Sequence, residues 1–223
     1  LKKIEDLPGN DNIIGAYNYF KNNIEVTDFN IPHILASIIF VGIDLAAHDD
    51  EQQIFDTINS LGVKLTTAEL LKNYFFNRNE ITYYNDYWKN IFEKDDDTKA
   101  YWDKIITTGR LRRTFIDLFF YSYLQIKMQD PGLKVRSDDK QEFAKIDSMF
   151  ESYKSLIDKY NLDKKAILDE IRDYAVLFKN NFDYDIINEE LTNKYGIERI
   201  NAIVFGLETS TLIPYILFVL KNV

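Results

Sequence analysis

Apolar residues recur along most of this chain at spacings of three and four, the period of one helix face. Asp11 and Asn12 suit a helix cap, followed by Ile13, Tyr17, Phe20 and Ile24 on one stripe. Pro32 fits the first turn of a short helix running from His33 to Ser37. The pattern then changes. Ile38-Ile39-Phe40-Val41-Gly42-Ile43-Asp44-Leu45 is continuous and rich in β-branched residues, the one convincing strand, a strand-like segment near residues 38–45. A lone strand leaves its own backbone groups unsatisfied, so its sheet is expected to lie in polypeptide outside this chain.

From Asp50 a helix carries Ile54, Phe55, Ile58 and Leu61 inward and stops at Gly62. Thr66-Thr67-Ala68-Glu69 then reads as a capping box, with Thr66 accepting from the Glu69 amide and the Glu69 carboxylate reaching back. The helix it opens puts Leu70, Leu71, Tyr74 and Phe75 on one side. Further helical patterns follow: Ile81 to Phe92, a new start after Asp95-Asp96-Asp97, and a long stripe of Leu111, Phe115, Leu118, Phe119, Tyr123 and Ile126 ended by Asp130-Pro131-Gly132. The polar stretch to Lys140 reads as a flexible loop. Phe143, Ile146, Phe150, Tyr153, Ile157 and Tyr160 alternate by three and four like a bundle seam. Asp163 caps a helix bearing Ile167, Ile171, Tyr174 and Phe178. Ile197, Ile200, Val204 and Leu207 mark another, and Ser210 or Thr211 opens the last, with Pro214 in its first turn.

The expected fold is therefore mainly α, an irregular multi-helix bundle. Residues 1–80 form a strand-bearing segment with a helix–loop–helix unit, and residues 81–223 a helical bundle continuous with it. No fixed-period repeat suggests a solenoid.

Composition sharpens this picture. Aromatic residues reach 15%, with 16 Phe, 15 Tyr and 2 Trp, so the core should be rich in rings. Only 8 Gly and 4 Pro punctuate the chain, favouring long helices. The absence of cysteine removes disulfides, thiol catalysis and zinc–thiolate sites, and fits a cytoplasmic location. The most apolar run, Thr211 to Leu220, is too short to span a membrane, and no membrane partner is expected. A net charge of −9 argues against non-specific nucleic-acid binding by the chain as a whole.

The chemistry-bearing candidates are few. His33 and His48 are the only histidines, too few for a multi-histidine metal site. His48-Asp49-Asp50 could recruit a metal but reads rather as a capping cluster, and Glu51-Gln52-Gln53 reads as a solvated first turn. Asn59, Lys72 and Asn73 are polar residues within an otherwise apolar helical pair, where asparagine commonly bonds nearby backbone. Between residues 99 and 113 five basic residues (Lys99, Lys104, Arg110, Arg112 and Arg113) face one acid, Asp103. Arginines at a helix start make a phosphate or acidic-partner site conceivable, with Lys104, Arg110, Arg112 and Arg113 as its residues. Ion pairing with Asp95-Asp96-Asp97 is the favoured reading. No phosphate loop, nucleophile elbow, HExxH or Cys/His cluster occurs, so no catalytic residue, metal ligand or complete active site is assigned.

The segment from Gln53 to Phe76 nevertheless has a recognisable form. Ile54, Phe55, Asn59, Gly62 and Leu65 fall on an IFxxxNxxGxxL stretch. Thr66, Glu69, Leu70, Leu71, Lys72 and Asn73 then follow a T/S-x-x-D/E-L-(I/L)-K-N helix, with Glu69 where aspartate is commoner. This resembles the GmrS-type N-terminal domain of GmrSD-like restriction enzymes, a large prokaryotic phage-defence family. The upstream IIFVGIDL and the helical tail with its proline-containing last helix extend the likeness over most of the chain.

In that family the N-terminal part resembles a ParB-like fold and carries a DGQQR motif tied to nucleotide binding and hydrolysis. Asp50-Glu51-Gln52-Gln53 lacks the glycine, and Ile54 stands where arginine would neutralise phosphate. Many members also carry an HNH nuclease domain, yet no histidine follows His48. The resemblance thus implies the helical half of a defence protein. It would brace a nucleotide-binding sheet domain outside this chain and relay its state to a possible C-terminal nuclease domain. Asn59, Gly62 and the Lys72-Asn73 helix would face that sheet. No cofactor is expected in this chain itself, while the full-length protein would take a nucleotide and could contact DNA. The alternatives are a free-standing helical protein-binding module and a DNA-phosphate-binding module using the arginines.

Overall fold

In a computed structural model of the chain, the described residues are 12–25, 30–37, 65–76, 81–108, 111–190 and 195–222. The chain divides into two compact units, Leu1–Glu51 and Gln52–Val223. The expected strand at residues 38–45, the Asp50 helix with Phe55, Asn59 and Gly62, and His48 all lie outside the described residues.

In the first unit, α1 spans Asn12–Asn23 and α2 spans Ile31–Ser37. The Asn30 side chain accepts from the His33 N–H at 3.1 Å, and Pro32 occupies the first turn, where a missing amide donor costs nothing. His33 itself is exposed. The α1 stripe is not buried along its length, since Phe20 is exposed.

The second unit is a helical body. Its first described helix is α3, Thr67–Phe75. A π-helical turn, Asn85–Lys89, runs directly into Asn90–Phe92, and together these form α4. Next come α5 (Asp96–Asp103), the strands β1 (Ile105–Thr108) and β2 (Leu111–Thr114), and α6 (Phe115–Lys127). The chain continues through α7 (Ser137–Phe143), α8 (Met149–Lys159) and α9 (Lys164–Asn181) to α10 (Gly196–Gly206) and α11 (Ile213–Asn222). The fold is mainly α, as the periodicity predicts.

The rings meet in one core. Trp102 packs on Phe92 at 5.0 Å and on Phe178 at 5.7 Å, while Trp88 stacks on Phe120 at 5.7 Å. Phe115, Phe119, Phe120 and Phe178 from α6 and α9 are wholly buried there. Edge-to-face and offset pairs of this kind add a little to the large area each ring removes from water.

Four local expectations need correction. The stripe beginning at Leu111 is not one helix: Leu111–Thr114 pairs antiparallel with Ile105–Thr108, with Ile105 opposite Thr114 and Thr108 opposite Leu111. The spacing from Leu111 to Phe115 is even, so it satisfies a strand's period as well as a helix's. Thr114 then caps α6, accepting from the Asp117 N–H at 3.3 Å.

The polar stretch after Gly132 is also not all loop. Ser137–Phe143 is helical because it buries Phe143 and ties Asp139 to Lys159 and the Tyr160 hydroxyl, both at 2.8 Å. The seam from Phe143 to Tyr160 breaks at a 3-10 turn, Ile146–Ser148, although Phe143, Phe150, Tyr153 and Ile157 are all buried. Finally, α10 buries Asn201, Ala202, Val204 and Phe205, whereas Ile200 and Leu207 of the expected stripe face outward with Ile203.

Candidate functional site

Signature helix α3 starts as its sequence dictates. The Thr66 N–H donates to Glu69 Oε2 at 2.8 Å and the Glu69 N–H donates to Thr66 Oγ1 at 3.3 Å, completing the capping box. A third free amide, the Ala68 N–H, donates to Asp117 Oδ1 at 3.2 Å, from the first turn of α6. The Asp117 carboxylate thus accepts from the amino end of α3, while its own N–H donates to Thr114 at the start of α6. Burial raises the Asp117 carboxyl above its ordinary range, against the hydrogen bonds from Thr114 and Ala68 and the nearby Arg113 charge.

Along α3, Ala68, Leu71 and Phe75 point into the core of the helical body, with Leu71 and Phe75 fully buried. Leu65, at the entry to the helix, is half-buried. Lys72 leaves the helix toward α4: its Nζ lies 2.6 Å from Glu93 Oε1 and 5.4 Å from the centre of the Tyr84 ring. Glu93 also accepts from the Tyr84 hydroxyl at 2.6 Å and from Trp88 Nε1 at 2.9 Å. Burial opposes ionisation of Glu93, but the bonds from Lys72, Tyr84 and Trp88 outweigh it and hold its carboxyl below the usual range. Burial likewise disfavours the Lys72 ammonium, and Glu93 overcomes it, raising the lysine. Asn73, one position on, is exposed.

The basic residues do not form one patch. Lys104 pairs with Asp185, and Lys99 is exposed on α5. Alternation along β2 sends Arg112 and Arg113 to opposite faces. Arg112, opposite Thr107, is exposed. Arg113, opposite the buried Ile106, turns inward: its guanidinium lies 5.2 Å from the Tyr121 ring centre, and Nη2 is 3.4 Å from Ser210 Oγ. Its Nε and Nη1 are buried without a hydrogen-bond partner, and this burial lowers the guanidinium below its ordinary value, against the charges of Tyr121 and Asp117. Arg110 lies outside the described residues.

The favoured ion pairing with Asp95-Asp96-Asp97 is absent among the described residues. Asp95 instead caps α5, accepting from the Thr98 N–H at 2.8 Å. Among the described residues no group of acidic or histidine side chains is placed to hold a metal ion, and no helix is long and apolar enough to cross a membrane.

Glu93 and Asp117 were not legible as site residues. Glu93 offers no local signal, because its partners lie on two elements. Asp117 does: Thr114-Phe115-Ile116-Asp117 is itself a cap sequence, masked by the apparent stripe that starts at Leu111.

The segment ending in α3 is what relates this chain to known proteins. Residues 1–76 match the GmrSD restriction endonuclease N-terminal domain. The match reaches across the first unit and ends at Phe76, the residue that closes α3, so it is shorter than the likeness over most of the chain expected from sequence. Neither a curated protein nor a solved structure matches the chain. The GmrSD-like stretch is nevertheless tied into the helical body at its carboxyl end. Its last helix shares a buried core with α4, α6 and α8, elements that lie beyond the matched residues.

Proposed function

We propose that this chain is a helical bracing and relay part of a GmrSD-like prokaryotic defence protein, acting on a nucleotide-binding domain that carries the DGQQR motif this chain lacks. The observation that carries the reading is the anchoring of α3. The helix closing the family stretch is held at its start by Asp117, along its length by Leu71 and Phe75, and on its flank by Glu93. A helix fixed at three places moves with the body behind it, which is what transmission between domains requires. In this reading Asn59 and Gly62, which lie outside the described residues, carry the contact with that domain, whereas Lys72, expected to share that role, pairs instead with Glu93 in the helical body.

The test compares nucleotide hydrolysis by these 223 residues with hydrolysis by a chain that also carries the DGQQR portion. Turnover is expected only in the longer chain, and Glu93→Ala in it is expected to reduce coupling between nucleotide and effector activity. Robust turnover by the 223 residues alone would overturn the reading.

A second reading, a protein-binding helical module, is favoured by the outward apolar residues on and beside α10: Ile203 on the helix is 45% exposed, and Tyr195 and Leu207 at its two ends are 77% and 70% exposed. Leu207→Ser should then weaken association with the partner without altering the fold. The DNA-phosphate reading draws less support, because Arg113 is turned inward and Lys104 is paired.

A further inference from the structure

Between α6, α9 and α11 lies an open cavity of about 720 Å³, within the size range of small-molecule sites. Four tyrosines, Tyr121, Tyr123, Tyr174 and Tyr215, stand in its wall together with Phe218. Tyr215 and Phe218 sit one helical turn apart on α11 and are 70% and 47% exposed. Rings of this size left in water at the mouth of a concave site gain most from a flat partner laid against them.

The charges in the wall narrow the chemistry. Lys127 reaches Glu170 at 2.7 Å and Asp130 at 3.3 Å, and Lys221 reaches Asp173 at 2.8 Å. The Tyr123 hydroxyl donates to the same Glu170 at 2.8 Å. Every charged side chain of the wall therefore already has an opposite charge. A ligand bearing its own charge would have to break one of these pairs or be desolvated without a partner. The groups left to meet a ligand are ring faces and uncharged polar groups, among them Gln125 and Thr211.

We propose that this cavity is a binding site for an uncharged, flat, fused-ring aromatic molecule, stacked on Tyr215 and Phe218. The site lies on the helical body and does not depend on the bracing role, so either can fail alone.

Three probes sharing one ring system test it by calorimetry on the whole chain: 2-naphthol, 2-naphthalenesulfonate and 2-naphthylmethylammonium. The neutral naphthol is expected to bind saturably, and about tenfold more tightly than either charged analogue. The double variant Tyr215→Ser/Phe218→Ser should weaken it about tenfold or more, while Ile203→Ser on α10, outside the cavity, should leave it unchanged. Both variants alter exposed residues, and circular dichroism verifies their helix content. Absence of saturable naphthol binding overturns the proposal, as does equal binding of the charged probes or indifference to the double variant. A wild-type dimer that the double variant dissolves would also overturn it, assigning the groove to a second copy of the chain.

Discussion

Lys72 and Arg113 are both half-buried positive charges, and the two corners of the helical body handle them differently. Lys72 meets Glu93, whose carboxylate also receives Tyr84 and Trp88, so the polar atoms at the corner of α3 and α4 form a closed set. Arg113 meets a ring face, a long contact to Ser210 and the field of Asp117, with two guanidinium nitrogens unpaired. The difference follows from geometry. Lys72 leaves a helix flank opposite another helix end, where a long acid can reach it, whereas strand alternation drives Arg113 to the side of buried Ile106 whatever waits there. The first corner fixes a helix in place, and the second tolerates a charge that the fold does not use.

The largest expected break is at the closed corner. Glu93→Ala leaves Lys72, Tyr84 and Trp88 without their acceptor, and should cost about 2–3 kcal/mol in urea unfolding. A loss below about 0.5 kcal/mol would mean that the corner does not hold α3. At the open corner the sign should reverse. Arg113→Met keeps the length and apolar contact with Tyr121 while removing the desolvated charge, and should stabilise by about 1 kcal/mol in the same measurement. A marked loss instead would show that Arg113 has partners worth keeping.

Asp117 sits between the two corners. Asp117→Ala should cost about 1 kcal/mol through loss of the acceptor for the Ala68 N–H. Asp117→Asn, which retains an acceptor, should cost less, and equal losses in thermal unfolding would reject this assignment.

The smallest effect is in pH. Glu93 is held below its ordinary value of 4.5, so its contribution is present above that pH and is lost as the pH falls through its folded value. The stability gap between the wild type and Glu93→Gln should therefore narrow on acidification below pH 4.5. Asp117, raised above 3.8, has the opposite sign, its ionisation costing stability as the pH rises past that value. A gap that widens in acid would reverse the assignment for Glu93.

The caps show how much of this was legible. Thr66 with Glu69, and Asp163 accepting from the Lys165 and Ala166 amides, each act within one turn of chain, and their residues announce them. The Asp130-Pro131-Gly132 stop was readable for the same reason, since α6 ends at Lys127 just before it. The β1–β2 hairpin was not: the four-residue step from Leu111 to Phe115 suits either period, and only the partner strand decides between them. Nor was the buried side of α10, where Ile200 and Leu207 fit a helical stripe but Asn201 is drawn inward to donate to the Asn181 carbonyl at 2.7 Å.

The sequence by itself determined a mainly helical chain, a ring-filled core, the start of α3 and a GmrSD-like segment ending with that helix. Periodicity, bulk and local capping are properties of neighbouring residues and need no knowledge of the rest. Tertiary structure alone decided that Glu93 receives Lys72, that the Asp117 carboxylate accepts from the start of α3, and that the arginines part company on β2. Those outcomes depend on which elements meet in space, and a side chain's partner across the fold leaves no mark on its own stretch of sequence.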